Sequence, residues 1–156
     1  MKPAYTIKLI CLICCIGLSF LIPTLAQALT GLNVNVEVIK ADRNSKEIDP
    51  QLKDLVKELG PLLNFSGFSL LKKTETRLNL NQKQEIILSS NRMLELQFLE
   101  FADNQARLQV RIIEEKKETF RTILLLVDKG SVLIGGPPHK DGVLLLRIGA
   151  EFIGVK

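Results

Sequence analysis

The feature that most constrains the fold is an alternation of apolar and polar residues that begins near Phe65 and continues to the end of the chain. It is clearest in the segment ARLQVRII, where every second residue is apolar: Ala106, Leu108, Val110 and Ile112. Side chains along a β-strand point alternately to opposite faces, so this period of two predicts strands with one buried face. From Phe65 onward we predict about seven strands joined by short turns, the spacing typical of antiparallel sandwiches and barrels.

One more strand and the only clear helix precede this region. The segment LNVNVEVI, residues 32–39, alternates in the same way and predicts a strand. Asp49 is a suitable helix cap, Pro50 suits the first helical position, and leucines follow at helical spacing until the helix ends or kinks near Leu59. The predicted fold class is α+β and mostly β: an antiparallel meander of about eight strands, a sandwich or partly open barrel, with one amphipathic helix near the N-terminus.

One strand departs from the alternation. The segment TFRTILLLV has a continuous apolar centre, residues 123–127. Such a run predicts a strand that is covered on both faces.

The N-terminus has the charged, apolar and small-residue order of a secretory signal peptide. Lys2 and Lys8 precede an apolar run over residues 9–22, and Ala26-Gln27-Ala28 offers a cleavage site. An uncleaved anchor is the competing interpretation, but the run is shorter than the roughly 18 to 20 apolar residues that span a bilayer. We therefore predict that residues 1–28 are removed and that residues 29–156 form one exported domain, periplasmic or extracellular.

The composition of this mature chain excludes several functions. Its cysteines would all leave with the signal peptide (Cys11, Cys14 and Cys15), which excludes disulfides, a thiol nucleophile and thiolate metal ligands. Basic residues alternate with acidic ones and form no patch, so we expect no nucleic-acid partner. The polar face of the predicted helix mixes both charges, so contact with a membrane is at most peripheral.

The segment IGGPPHKDG contains the only histidine of the chain, His139, and could in principle be a phosphate loop, a metal corner or a turn. A phosphate loop lies between a strand and a helix, whereas Lys140 precedes a strand. His139 has no second histidine or cysteine to share a metal, and Asp141 alone is insufficient for zinc. We therefore predict an exposed hairpin turn, GGPPHKDG, between two strands.

No other residues form a recognisable catalytic set. Glu95 and Glu100 could flank a sugar as a carboxylate pair, but each falls at an ordinary outward strand position. The sequence therefore predicts no catalytic, metal or cofactor site and a protein that is not an enzyme.

Two functions remain. The first is a protein-interaction or assembly module, whose partner is another envelope protein or a second copy. The first and last strands carry little charge, so each is a candidate docking edge unless the two pair within the domain, and the candidate residues are Asn35, Glu37, Arg147 and Ala150. The alternative is a carrier that holds a small apolar, lipid-like ligand inside a barrel.

Overall fold

The protein consists of eight β-strands and one short helical segment. The computed structural model describes residues 31–154, so the predicted signal peptide and its cleavage site lie outside the described residues. The strands are β1 (Gly31–Asp42), β2 (Gly67–Leu78), β3 (Lys83–Ser89), β4 (Arg92–Ala102), β5 (Gln105–Glu114), β6 (Lys117–Leu126), β7 (Ser131–His139) and β8 (Gly142–Ile153). The helical segment comprises a 3-10 turn (Pro50–Leu52), helix α1 (Lys53–Leu59) and a second 3-10 turn (Gly60–Leu62).

The strands form two four-stranded antiparallel sheets. The first sheet has the order β2-β1-β8-β7, and the second sheet has the order β3-β4-β5-β6. The chain passes from one sheet to the other between β2 and β3 and again between β6 and β7, and the strand ladders of residues 31–154 do not continue across either passage. The predicted fold class, α+β and mostly β, is thus confirmed, and the two separate sheets form a sandwich-like structure that is not a closed barrel.

The inner faces of the two sheets form one continuous apolar core. It is built by the residues that the alternation assigned to one face of each strand, including Val34, Val36, Leu94, Leu96, Leu108, Val110, Leu146 and Ile148, all at most 1% exposed. At one end of the sandwich, Phe101 and Phe152 meet edge to face with 5.1 Å between ring centroids. Burial of these side chains is the main stabilising term of the fold.

The helical segment covers only part of the outer face of the first sheet. The Asp49 carboxylate accepts a hydrogen bond from the Gln51 backbone N–H at 2.9 Å, and Pro50 follows the cap as predicted. Leu52 is fully buried in a second, smaller cluster with Ile39, Phe68 and Leu145. Within residues 31–154, no element covers the rest of this outer face, which carries the polar residues of β1 and β8.

The predicted turn, GGPPHKDG, is too long, because β7 continues through Pro137 and Pro138 to His139. Only Lys140 and Asp141 form the turn, and His139 pairs with Gly142 across it. Prolines are tolerated here because β7 is an edge strand, where a missing N–H on the outer side removes no ladder bond. A register shift between Gly135 and Pro138 accommodates them.

Candidate interaction site

The four residues proposed as a docking edge lie in the middle of the first sheet. Strands β1 and β8 pair with each other from Gly31↔Ile153 to Asp42↔Gly142, and their other sides pair with β2 and β7. The first and last strands therefore pair within the domain, which is the condition under which neither was expected to be a docking edge. Both sides of their backbones are already used in ladder hydrogen bonds, so a partner strand cannot add to either one.

Three of these four residues nevertheless point to the same outer face. Glu37 and Arg147 are direct ladder partners, and Arg147 Nη1 lies 3.3 Å from Glu37 Oε2. Asn35 lies two residues from Glu37 on the same face of β1. Ala150 instead faces the core and is 5% exposed, which separates it from the other three.

The true edges of the sandwich are β2 and β7 in the first sheet and β3 and β6 in the second. Natural sheets protect their edges from unwanted pairing with charge, proline or a covering group. β7 has Pro137 and Pro138, and β2 carries alternating charged residues: Lys72, Lys73, Glu75 and Arg77.

The β3 edge is protected by charge and by side chains from β2. It carries Lys83 and Glu85, and the Lys72 ammonium donates to the Ile87 carbonyl at 3.3 Å. Further along, the Thr76 hydroxyl and the Gln84 side-chain carbonyl are 3.3 Å apart. These contacts occupy the edge where the two sheets approach each other.

Among the residues that the structure describes, none of these protections lies along the second half of the β6 edge. The segment Thr122–Val127 contains no charged residue, glycine or proline. Its outward side chains, Ile123, Leu125 and Val127, are 53%, 51% and 52% exposed, while Leu124 and Leu126 are buried in the core. The prediction of a strand covered on both faces is therefore wrong. A continuous apolar run has the same sequence whether its outer face is covered by protein or left open, and only the structure distinguishes the two.

The outer face of the second sheet beside β6 carries an ion-pair network. The buried Glu95 carboxylate accepts from Arg111, Arg111 Nη1 lies 3.1 Å from Glu118, and Arg121 Nη2 lies 2.7 Å from Glu118. Arg121 above all, and Arg111 next, lower the pKa of the Glu118 carboxyl below its ordinary value. The hydrogen bond to Glu95 is the main cause that raises the pKa of Arg111.

The two carboxylates considered as a glycosidase pair have separate arginine partners. Glu95 is bound by Arg111, and Glu100 Oε1 lies 2.8 Å from Arg107 Nη1. This arrangement favours a structural role for both.

His139 lies at the end of β7, beside a contact that joins the two sheets. Arg92 Nη1 donates to the Pro138 carbonyl at 2.6 Å, and Arg92 also pairs with Glu114 at 2.9 Å. Within residues 31–154, no three histidine, cysteine, aspartate or glutamate side chains are grouped so that they could hold a metal ion. In the same range, no helix is long and apolar enough to cross a membrane.

Comparison of the chain with protein-family models, with curated proteins and with solved structures finds no significant match.

Proposed function

We propose that this protein is a non-enzymatic interaction module of the exported compartment, and that it pairs the edge of β6 with an extended strand of another protein. The observation that carries the proposal is the unprotected segment Thr122–Val127. It combines three half-exposed apolar side chains, Ile123, Leu125 and Val127, with the absence of charge, glycine and proline. The comparable run on β3, residues 86–89, has one exposed apolar side chain, Ile87, and the carbonyl of that residue is already bound by Lys72.

The chemistry of this edge suits strand addition. In this binding mode, main-chain hydrogen bonds give affinity, and alternate side chains give specificity. Ile123 and Leu125 would supply the apolar contacts, and their ladder neighbours on β5, Gln109 and Arg107, would supply a polar border. An exposed apolar edge is an aggregation risk that natural sheets avoid, so its retention favours a function in association.

The predicted signal peptide supports a partner in the same exported compartment. The described domain also has no cysteine, so its association does not need a disulfide. The partner is another envelope or extracellular protein, and a second copy of this chain is the other possible source of the strand.

The alternative function, a carrier of a small apolar ligand, has weaker support. A small pocket of about 200 Å³ lies between β6 and β7, lined by Ile112, Thr119, Phe120, Gly135, Gly136 and Pro137. Ligand pockets usually have at least about 300 Å³. The inner faces of the sheets are also filled by one cluster of buried side chains. We therefore favour association.

A photo-cross-linking amino acid at position 123 tests the proposal in the native compartment. We expect one discrete cross-linked product, because Ile123 lies on the docking edge. Position 87 is the matched control, because Ile87 is also an isoleucine on an edge of the second sheet and is 67% exposed. It differs in that its backbone carbonyl is bound by Lys72. Mass spectrometry of the product distinguishes a partner from a second copy.

The variant Leu125→Lys gives the complementary test. Leu125 is half exposed, so lysine there leaves the fold intact but places a charge on the docking edge. We expect the product at position 123 to disappear in this variant. Equal cross-linking from positions 123 and 87, or a product that persists with Leu125→Lys, contradicts the proposal. An apolar molecule that co-purifies in a one-to-one ratio, without any product, supports the carrier instead.

A further inference from the structure

The uncovered part of the first sheet's outer face forms a polar groove of about 640 Å³. Its floor is the outer face of β1 and β8. Asn35 lies opposite Gly149 there, and the glycine has no side chain to fill the space. Glu75 and Arg77 of β2 form one side. Residues 129–131, the end of the turn and the first residue of β7, form the other side. The groove and the β6 edge lie on different sheets, so the two sites are independent.

The floor of this groove contains an unsatisfied polar atom. The side-chain oxygen of Asn35 is buried and has no hydrogen-bond partner within the described residues. Its ladder neighbours cannot supply a donor side chain, because Glu75 is a carboxylate and Gly149 has no side chain. A buried acceptor without a donor is destabilising, and native structures contain few of them. Because this oxygen is buried, a ligand donor in the groove reaches it only when the Asn35 side chain turns outward, and that turn would also satisfy the acceptor.

The charges of the groove balance. It is lined by three acidic residues, Glu37, Glu75 and Glu151, and by three basic residues, Arg77, Lys129 and Arg147. Glu37 and Arg147 pair with each other, and Glu75 lies 3.5 Å from Lys73. Arg77, Lys129 and Glu151 form no ion pair among residues 31–154. A ligand for this groove has no large net charge but carries groups of both signs.

The lining residues contain no aromatic side chain in the described part of the chain, so a base or another flat ring has nothing to stack on. An asparagine amide, by contrast, matches a peptide unit: its oxygen accepts from a peptide N–H, and its nitrogen donates to a peptide carbonyl. The volume is within the range of roughly 300 to 1,000 Å³ that holds a small ligand.

We propose that the groove binds a short extended peptide segment that carries both acidic and basic side chains. The Asn35 amide pairs with one of its main-chain amides. Arg77 and Lys129 bind its acidic side chains, and Glu151 binds its basic side chain.

Selection of peptides from a random heptapeptide library displayed on phage tests this proposal, with the selected peptides then measured as free probes. We expect enriched peptides with both charge signs, and binding at least about tenfold weaker to Asn35→Leu, because a peptide amide loses its partner. Gln97→Leu is the matched control, because Gln97 is also a partly buried amide on the outer face of an inner strand, but in the second sheet. We expect this variant to bind normally.

A second variant keeps the test independent of the stability of Asn35→Leu. Arg77 is exposed, so Arg77→Glu leaves the fold intact and should shift the selected peptides away from acidic residues. The proposal is overturned if no peptide is enriched, or if Asn35→Leu and Arg77→Glu both bind the selected peptides unchanged. Binding lost only in Leu125→Lys also overturns it, since that result assigns the peptides to β6.

Discussion

Arg147 Nη1 lies 3.3 Å from Glu37 Oε2, and these two residues are direct partners in the ladder that joins the first strand, β1, to the last strand, β8. The described ends of the chain thus meet in the middle of one sheet. Because β1 and β8 occupy inner positions of the first sheet, its edge strands are β2 and β7; those of the second sheet are β3 and β6. This arrangement moves the candidate docking edge from β1 and β8 to β6, and it leaves Asn35 on the floor of a groove.

Two lysine substitutions in the inner strands should have very different effects. Ala150 is 5% exposed and faces the core, so Ala150→Lys buries an ammonium and should lower the free energy of unfolding by about 4 kcal/mol. Asn35 faces the groove beside Glu37 and Glu75, so Asn35→Lys should change it by at most about 1 kcal/mol. Urea unfolding of both variants measures this difference. Equal destabilisation would show that the assigned faces of β1 and β8 are incorrect.

Two glycines of the β7–β8 hairpin should respond differently to alanine. A Cβ atom at Gly142 would lie 2.1 Å from the Ala41 carbonyl oxygen, a backbone atom that cannot easily move, so Gly142→Ala should destabilise by about 3 kcal/mol. A Cβ atom at Gly135 meets nothing within 4 Å, so Gly135→Ala should stay within about 0.5 kcal/mol of the parent. Thermal unfolding compares the two. A neutral Gly142→Ala is incompatible with the close contact between β1 and β8.

Stability should fall at acidic pH partly through Asp42. Its carboxylate accepts from the Lys40 ammonium and from the Asn44 backbone N–H, each at 2.8 Å, and these bonds, the first above all, lower its pKa below the ordinary value. The ionised form therefore stabilises the fold above the unfolded-state pKa of about 4, and this contribution is lost as the pH falls through the lower folded-state pKa.

The variant Asp42→Asn should consequently have a shallower decline of unfolding free energy between about pH 5 and pH 2. Asp54→Asn is the control, since Asp54 lies on helix α1 and forms no ion pair within residues 31–154. Chemical unfolding at several pH values measures both. Parallel curves for the parent and Asp42→Asn would contradict the assigned role of Asp42.

The local structure could be predicted from the sequence because it depends on nearby residues. Alternation predicted the strands, and the Asp49–Pro50 pair predicted the start of the helical segment. The turn between β4 and β5 has a local cause too, because Asp103 and Asn104 are residue types that tolerate positive φ, and their φ angles are 52° and 63°. Each of these features follows from the backbone preferences of a few adjacent residues.

The pairing of strands could not be predicted in the same way. Whether β1 meets β8 is decided by contacts between residues far apart in the chain, such as Glu37 and Arg147. The same limit applies to Thr122–Val127, whose apolar pattern does not reveal that β6 is an edge. The unsatisfied oxygen of Asn35 left no signal in the sequence either, because it depends on the side chains of the neighbouring strands.

Amide hydrogen exchange along Thr122–Val127 tests the central claim most directly, because strand addition hydrogen-bonds backbone groups that are free on an edge. The measurement compares the isolated protein with the cross-linked or co-purified complex, and Lys83–Ser89 of the protected β3 edge is the internal reference. We predict that exchange slows in Thr122–Val127 on association and stays unchanged in β3. Association that leaves exchange in Thr122–Val127 unchanged would contradict the account.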